Sequence, residues 1–197
     1  MKISASLPKD IKDKYINLLK HYKGVFSWSY HELKTYDTNL IEHKIPLKPE
    51  AKPFQQKLRR INVILLLIIK KELKKLLDAK ITVPVRYYEW IANLVPVRKK
   101  KGEIRLCTDF RNLNKSSLKD DYPLHKMDQI LQRVLSSNRV SMLDGFYGYN
   151  NILVSLEDRE KTTFTTPSGT FMYARMPFGL TNAGETFQRA MDLDFVS

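Results

Sequence analysis

Apolar residues recur at helical spacing in the first stretch of the chain. After Pro8, residues Ile11, Tyr15, Leu18, Leu19 and Tyr22 fall on one face, which predicts a short helix over 8–23. A looser stretch rich in Ser, His, Tyr and Pro runs to about Pro53 and reads as a linker or arm. The apolar run Val63 to Ile69 follows, with Ile61 before it and Leu73, Leu76 and Leu77 after it, and this predicts an amphipathic helix over roughly 61–79. That run is too short for a membrane span, which needs about 18 apolar residues. Its start is nevertheless too apolar for a single face to hide. A role at a membrane surface stands as the minor alternative.

From Trp90 the period changes. ANLVPVRKKKGEIRLCTDFR places apolar strands on either side of a basic turn near Lys101–Gly102, the pattern of a hairpin. DYPLHKMDQILQRVLSS then returns to helical spacing at Met127, Ile130, Leu131 and Val134. Arg139 to Asp144 reads as a short strand ending in a carboxylate, and Gly145 to Tyr149 as a tight turn. Lys161–Thr166 and Thr170–Arg175 form a second hairpin across Pro167–Gly169, and Asn182 to Ser197 opens a further helix. Helices and hairpins in mixed order predict an α+β fold.

Composition adds a partner class. The 197 residues hold 34 Lys plus Arg against 21 Asp plus Glu, a net charge of +13 that favours a polyanion such as nucleic acid or an anionic membrane. With 43% hydrophobic residues the chain has enough for a packed core. A single cysteine, Cys107, excludes an internal disulfide framework and any CxxC zinc site. His21, His31, His43 and His125 stand too far apart for a histidine metal pair, while a carboxylate site remains open. The N-terminus has no apolar secretory core. Arg98, Lys99, Lys100, Lys101 and Arg105 crowd the first hairpin, either as a solvated turn or as phosphate contacts.

Four segments then narrow the reading. RKKKGEIRLCTDFRNLNK, DYPL, SMLDGFYGYN and EKTTFTTPSGTFMYARMPFGLTNAGETFQRAM, in that order, resemble the reverse transcriptase of gypsy-type LTR retrotransposons, particularly plant elements, from about Pro46 onward. FSWSYHELKTYDTNLIEHKIPLKP is similar to the segment that joins protease to polymerase in their polyproteins. The resemblance implies the fingers and partial palm of a right-hand polymerase. Linker would occupy 1–45, fingers 46–118, the first part of the palm 119–151, returning fingers 152–182 and the start of a palm helix 183–197.

The implied reaction is RNA-directed DNA synthesis on an RNA or DNA template-primer from deoxynucleoside triphosphates. Two Mg²⁺ (or Mn²⁺) ions about 3.5–4 Å apart would align the primer hydroxyl and the α-phosphate. Such hard cations want carboxylate oxygens on a rigid strand end. By resemblance Asp144 is the first catalytic and metal-binding aspartate; read without the resemblance, it is an Asp starting a turn. Gly145, Tyr147 and Gly148 would bring backbone close to the triphosphate. Tyr149, five residues after Asp144, falls at the family's aromatic gate against the ribose 2′-hydroxyl. Arg105 and either Lys99 or Lys100 would neutralise phosphate charge. Phe178 and Gly179 would face the incoming nucleotide, and Asp109, Arg111 and Asn114 the template. The resemblance further implies virus-like particles in the cytoplasm and no membrane partner; it leaves oligomeric state open.

Several positions depart from the family's pattern. The 197 residues contain no aromatic-x-Asp-Asp, since Asp120–Asp121 precedes Asp144 and follows no such aromatic. The chain as it stands is therefore expected not to polymerise. Lys80 stands where a Gly is expected, which would strain the turn it occupies. His125, Asn151, Ser168 and Glu185 replace Pro, Gln, Trp and a small residue, and Glu185 would bring an unpaired carboxylate into packed surroundings. The competing expectations are a non-catalytic nucleic-acid-binding remnant and a decayed product.

Overall fold

The computed structural model describes residues 5–25, 27, 29–98, 104–135 and 148–196. Helix α1, Lys9–His21, starts directly after Pro8, whose carbonyl accepts the Lys12 N–H at 3.0 Å. The helix forms as its periodicity predicts, yet none of its residues is buried, and Tyr15, Leu18 and Tyr22 remain about half exposed.

Helix α2, Val63–Asp78, is capped by Asn62, whose side-chain oxygen accepts the Ile64 N–H at 3.0 Å. Ile69 and Leu73 are buried, whereas Val63, Ile64 and Leu67 of the first turns stay exposed, as the excess of apolar residues there implied. Its far end closes with the Lys80 N–H on the Leu77 carbonyl and the Ile81 N–H on the Leu76 carbonyl, both 2.9 Å. That paired closure requires a left-handed residue between them. Lys80 supplies it at φ +54°, the one non-glycine with positive φ among the described residues. A side chain there costs about 1 kcal/mol, and the strain expected from the missing glycine is present.

Five strands form one mixed sheet: β1 (Thr82–Pro84), β2 (Ala92–Arg98), β3 (Ile104–Thr108), β4 (Phe164–Thr166) and β5 (Gly169–Tyr173), in the order β1-β5-β4-β2-β3. The first hairpin pairs β2 with β3 from Leu94↔Thr108 to Arg98↔Ile104, while its turn lies outside the described residues. The second pairs β4 with β5, and Gly169 at φ +136° makes the turn. A parallel step, Ala92↔Phe164, joins the two hairpins. Phe164, wholly buried, packs its ring against Phe171 and Tyr173 at centroid distances of 5.9 and 5.1 Å. The remaining helices are α3 (Arg111–Ser116), α4 (Met127–Leu135) and α5 (Ala183–Val196).

The stretch read as linker or arm is partly built into the core. Leu33, Ile41, His43 and Ile45 are buried. The backbone around His43 bonds to Leu153 and Ser155, at 2.8 and 2.9 Å, and the Ile45 N–H donates to the Asp158 carboxylate at 2.6 Å. Asp158 also pairs with Lys161. Inside this strap the His43 ring meets the Thr186 hydroxyl of α5 at 2.9 Å. Burial pushes that imidazole down to about 4, with the Asp158 charge opposing the shift.

Candidate functional site

Two groups of the expected site residues come together at β3. Arg105 is the second residue of that edge strand, and its guanidinium carbon sits 5.7 Å from the centre of the Phe178 ring. Phe178 is stacked on Tyr149, centroids 4.8 Å apart and planes 23° apart, and Tyr149 leans on Phe187 of α5 at 5.1 Å. A cation over an aromatic face is attracted by the ring's negative quadrupole. Arg105, Phe178 and Asn150 border a cavity of about 650 Å³ that Leu67, Lys71 and Lys75 of α2 also line. Burial, and after it the Glu185 carboxylate, raises the Tyr149 hydroxyl above its ordinary range.

The backbone under this stack is tightly held. Gly148 lies beneath the Phe187 ring, where an added Cβ would come within 2.7 Å of a ring carbon, so only glycine allows this approach. Arg175, its pKa lowered by burial, donates to the Asn150 carbonyl at 2.8 Å. Gly179 adopts φ +97°. Asn114 straddles that turn: its side-chain nitrogen donates to the Gly179 carbonyl at 2.8 Å, and its oxygen accepts the Thr181 N–H at 3.1 Å. The Asn114 side chain is thus committed to positioning the loop that presents Phe178.

Past the end of β3, Asp109 accepts from Arg111 Nε and Nη2 at 2.8 and 2.7 Å and from Arg59 Nη2 at 2.8 Å. Hydrogen bonds from Arg111, reinforced by both guanidinium charges, hold its carboxyl below the usual range. Arg59 was not among the residues singled out by sequence; the pair Arg59–Arg60 ahead of the apolar run was the available signal. Asp144, Gly145 and Tyr147, together with Lys99 and Lys100, lie outside the described residues. Among the described residues no three His, Cys, Asp or Glu side chains gather as a metal site, and no helix is long and apolar enough to cross a membrane.

Residues 97–194, which contain most of these groups, match the family described as "Reverse transcriptase (RNA-dependent DNA polymerase)". Across 98% of its length the chain is 29% identical to the retrovirus-related Pol polyprotein of transposon 412 from Drosophila melanogaster. Over 45% of its length it is 41% identical to that of transposon gypsy from the same fly. The chain carries a reverse transcriptase domain over residues 97–194. It spans 16% and 8% of those two polyproteins. An "RNA-directed DNA polymerase homolog" of Oenothera berteroana is 37% identical over 45% of the chain and 63% of its own length. The reverse transcriptase fold is equally visible in three dimensions. A foamy viral protease-reverse transcriptase in complex with RNA/DNA hybrid superposes with a TM-score of 0.70 at 17% identity, over 95% of this chain and 25% of that one. The same enzyme in complex with dsDNA also gives 0.70, at 19% identity, over 96% and 37%.

Proposed function

We propose that this stretch of a Pol protein forms the nucleotide- and template-facing part of an RNA-directed DNA polymerase. The observation that carries the reading is the Arg105–Phe178–Tyr149 stack beside the 650 Å³ cavity, because it joins three separate family segments into one cationic, aromatic surface. A guanidinium can hold triphosphate oxygens, and an aromatic face can support a sugar or base. In this reading the fingers run over 46–118 and 152–182, and the palm over 119–151 and from 183. The RNA/DNA and dsDNA complexes of the foamy viral enzymes support a template-primer as partner.

In this reading Asp144 would be one carboxylate for Mg²⁺ or Mn²⁺, and the ion would supply charge neutralisation at the transferred phosphate. Within the 197 residues, the chain's own groups bind and orient: Arg105 takes phosphate, Phe178 and Tyr149 pack the nucleoside, and Asn114 fixes the loop that presents Phe178.

A second reading, a non-catalytic nucleic-acid-binding remnant, is favoured by three positions. Lys80 is left-handed. Asn151 buries an oxygen with no partner among the described residues. Glu185 is buried, with its carboxylate near enough to the Tyr149 hydroxyl to raise that group's pKa. Binding of a deoxynucleoside triphosphate, measured beside primer extension with Mg²⁺ and separately Mn²⁺, decides between them. The 197-residue chain is expected to bind a deoxynucleoside triphosphate, to lose that binding in Arg105→Ala, and to extend no primer. Templated extension by these residues alone overturns the remnant reading, and triphosphate binding indifferent to Arg105 overturns the nucleotide site.

A further inference from the structure

We propose that the first two turns of α2 dock on an anionic lipid surface. Their apolar side chains dip between the headgroups, and the lysines of the following turns rest on the lipid phosphates. A lipid partner departs from what the family resemblance implies, and the residues that call for it lie outside the four segments that carry that resemblance.

Val63, Ile64 and Leu67 are 77%, 77% and 79% exposed, and they turn away from the buried Ile69 and Leu73 of the same helix. Single exposed aliphatics are ordinary, but three adjoining ones at one helix end form a patch that water disfavours. The same side of α2 continues into exposed Lys70, Lys71 and Lys74, and exposed Arg60 stands just before the Asn62 cap. Apolar and basic residues thus follow one another along a single stripe. Because α2 is already folded and anchored through Ile69 and Leu73, the stripe is presented without an ordering cost.

Charge selects the partner. From Arg59 to Lys75 the chain carries six cations and one anion, Glu72. Lys75 pairs with Glu72 at 2.6 Å and Arg59 with Asp109 at 2.8 Å, which leaves Arg60, Lys70, Lys71 and Lys74 as exposed positive charges. A phosphate backbone would satisfy these cations but offers the aliphatic side chains no apolar surface. An anionic bilayer satisfies both, since it carries phosphates over acyl chains. The helix is neither long nor apolar enough to cross a membrane, so the contact stays at the surface.

The test is co-sedimentation of the 197-residue chain with vesicles of phosphatidylcholine and phosphatidylserine, beside vesicles of phosphatidylcholine alone. Wild type is expected to sediment with the mixed vesicles and to stay in solution with the neutral ones. Ile64→Ser is expected to lower the partition about tenfold, through loss of one buried aliphatic side chain. Lys70→Gln and Lys74→Gln are each expected to lower it about fivefold. Ile64→Trp, a side chain that favours the headgroup layer, is expected to keep the binding and to show blue-shifted added emission on the mixed vesicles. Ile64, Lys70 and Lys74 do not line the cavity beside Arg105, so triphosphate binding persists in these variants and its failure bears on the polymerase reading alone. Equal sedimentation with neutral vesicles, or none with the mixed ones, overturns the lipid surface. So does an Ile64→Ser variant that binds as wild type does; if the lysine variants then also weaken binding to duplex DNA, the patch belongs to nucleic acid instead.

Discussion

Helix α1 and the strap around His43 come from the same N-terminal region, and they behave in opposite ways. The helix has a clear apolar stripe and buries no residue. The strap has no helical period and gives the core Leu33, Ile41, His43 and Ile45. Local order and tertiary weight are separate properties. Periodicity states what backbone a segment prefers, whereas burial depends on what lies across from it. For the strap, that is the segment 151–158, more than a hundred residues away along the chain.

The contrast is sharpest in core truncation. Ile45→Ala, at a residue 3% exposed, is expected to cost about 2–5 kcal/mol of unfolding free energy. Leu18→Ala on α1, at 53% exposed, is expected to change it by less than about 0.5 kcal/mol. Urea melts of the two variants measure this directly, and similar losses would erase the distinction.

Acid probes the strap next. The folded pKa of His43, about 4, lies below its ordinary 6.5, so the unfolded chain takes up the proton first as pH falls. The contribution is full above pH 6.5 and is lost progressively down to about 4, up to about 3 kcal/mol. His43→Gln should flatten this part of the stability–pH curve; an unchanged curve would assign the acid sensitivity elsewhere.

Smaller still is the effect of Lys80→Gly. Relief of the left-handed side chain should raise stability by about 1 kcal/mol, partly offset by the greater freedom of glycine in the unfolded chain. The melting midpoint should rise. A fall would mean that the Lys80 side chain makes contacts worth more than the strain.

Much of the fold was legible before the structure. Turn residues at Pro167–Gly169 and apolar strands around the basic turn located both hairpins, and helical spacing of apolar residues located α2. Ile41, His43 and Ile45 do alternate, as a half-buried strand would, but three positions between prolines and charges give too short a signal to outweigh loop composition. At the site, the family resemblance singled out Arg105, Tyr149 and Phe178, and the structure brings the three side by side. The resemblance could not show that Asn114 spends its side chain on Gly179 and Thr181, since that depends on a contact 65 residues distant. Arg59 was missed for the same reason: it belongs to no motif, and only the folded chain brings it to Asp109.

The parallel step between β2 and β4 sets a limit on how this molecule can be divided. The family match begins at residue 97, yet Ala92 and Asn93, which hold β4, lie before it, as does all of β1, which covers β5. Excised at that boundary, the second hairpin would present two bare edges and lose Ile69, Leu73 and Ile81 from its packing. The segment that carries the recognisable chemistry is not, by itself, an autonomous folding unit.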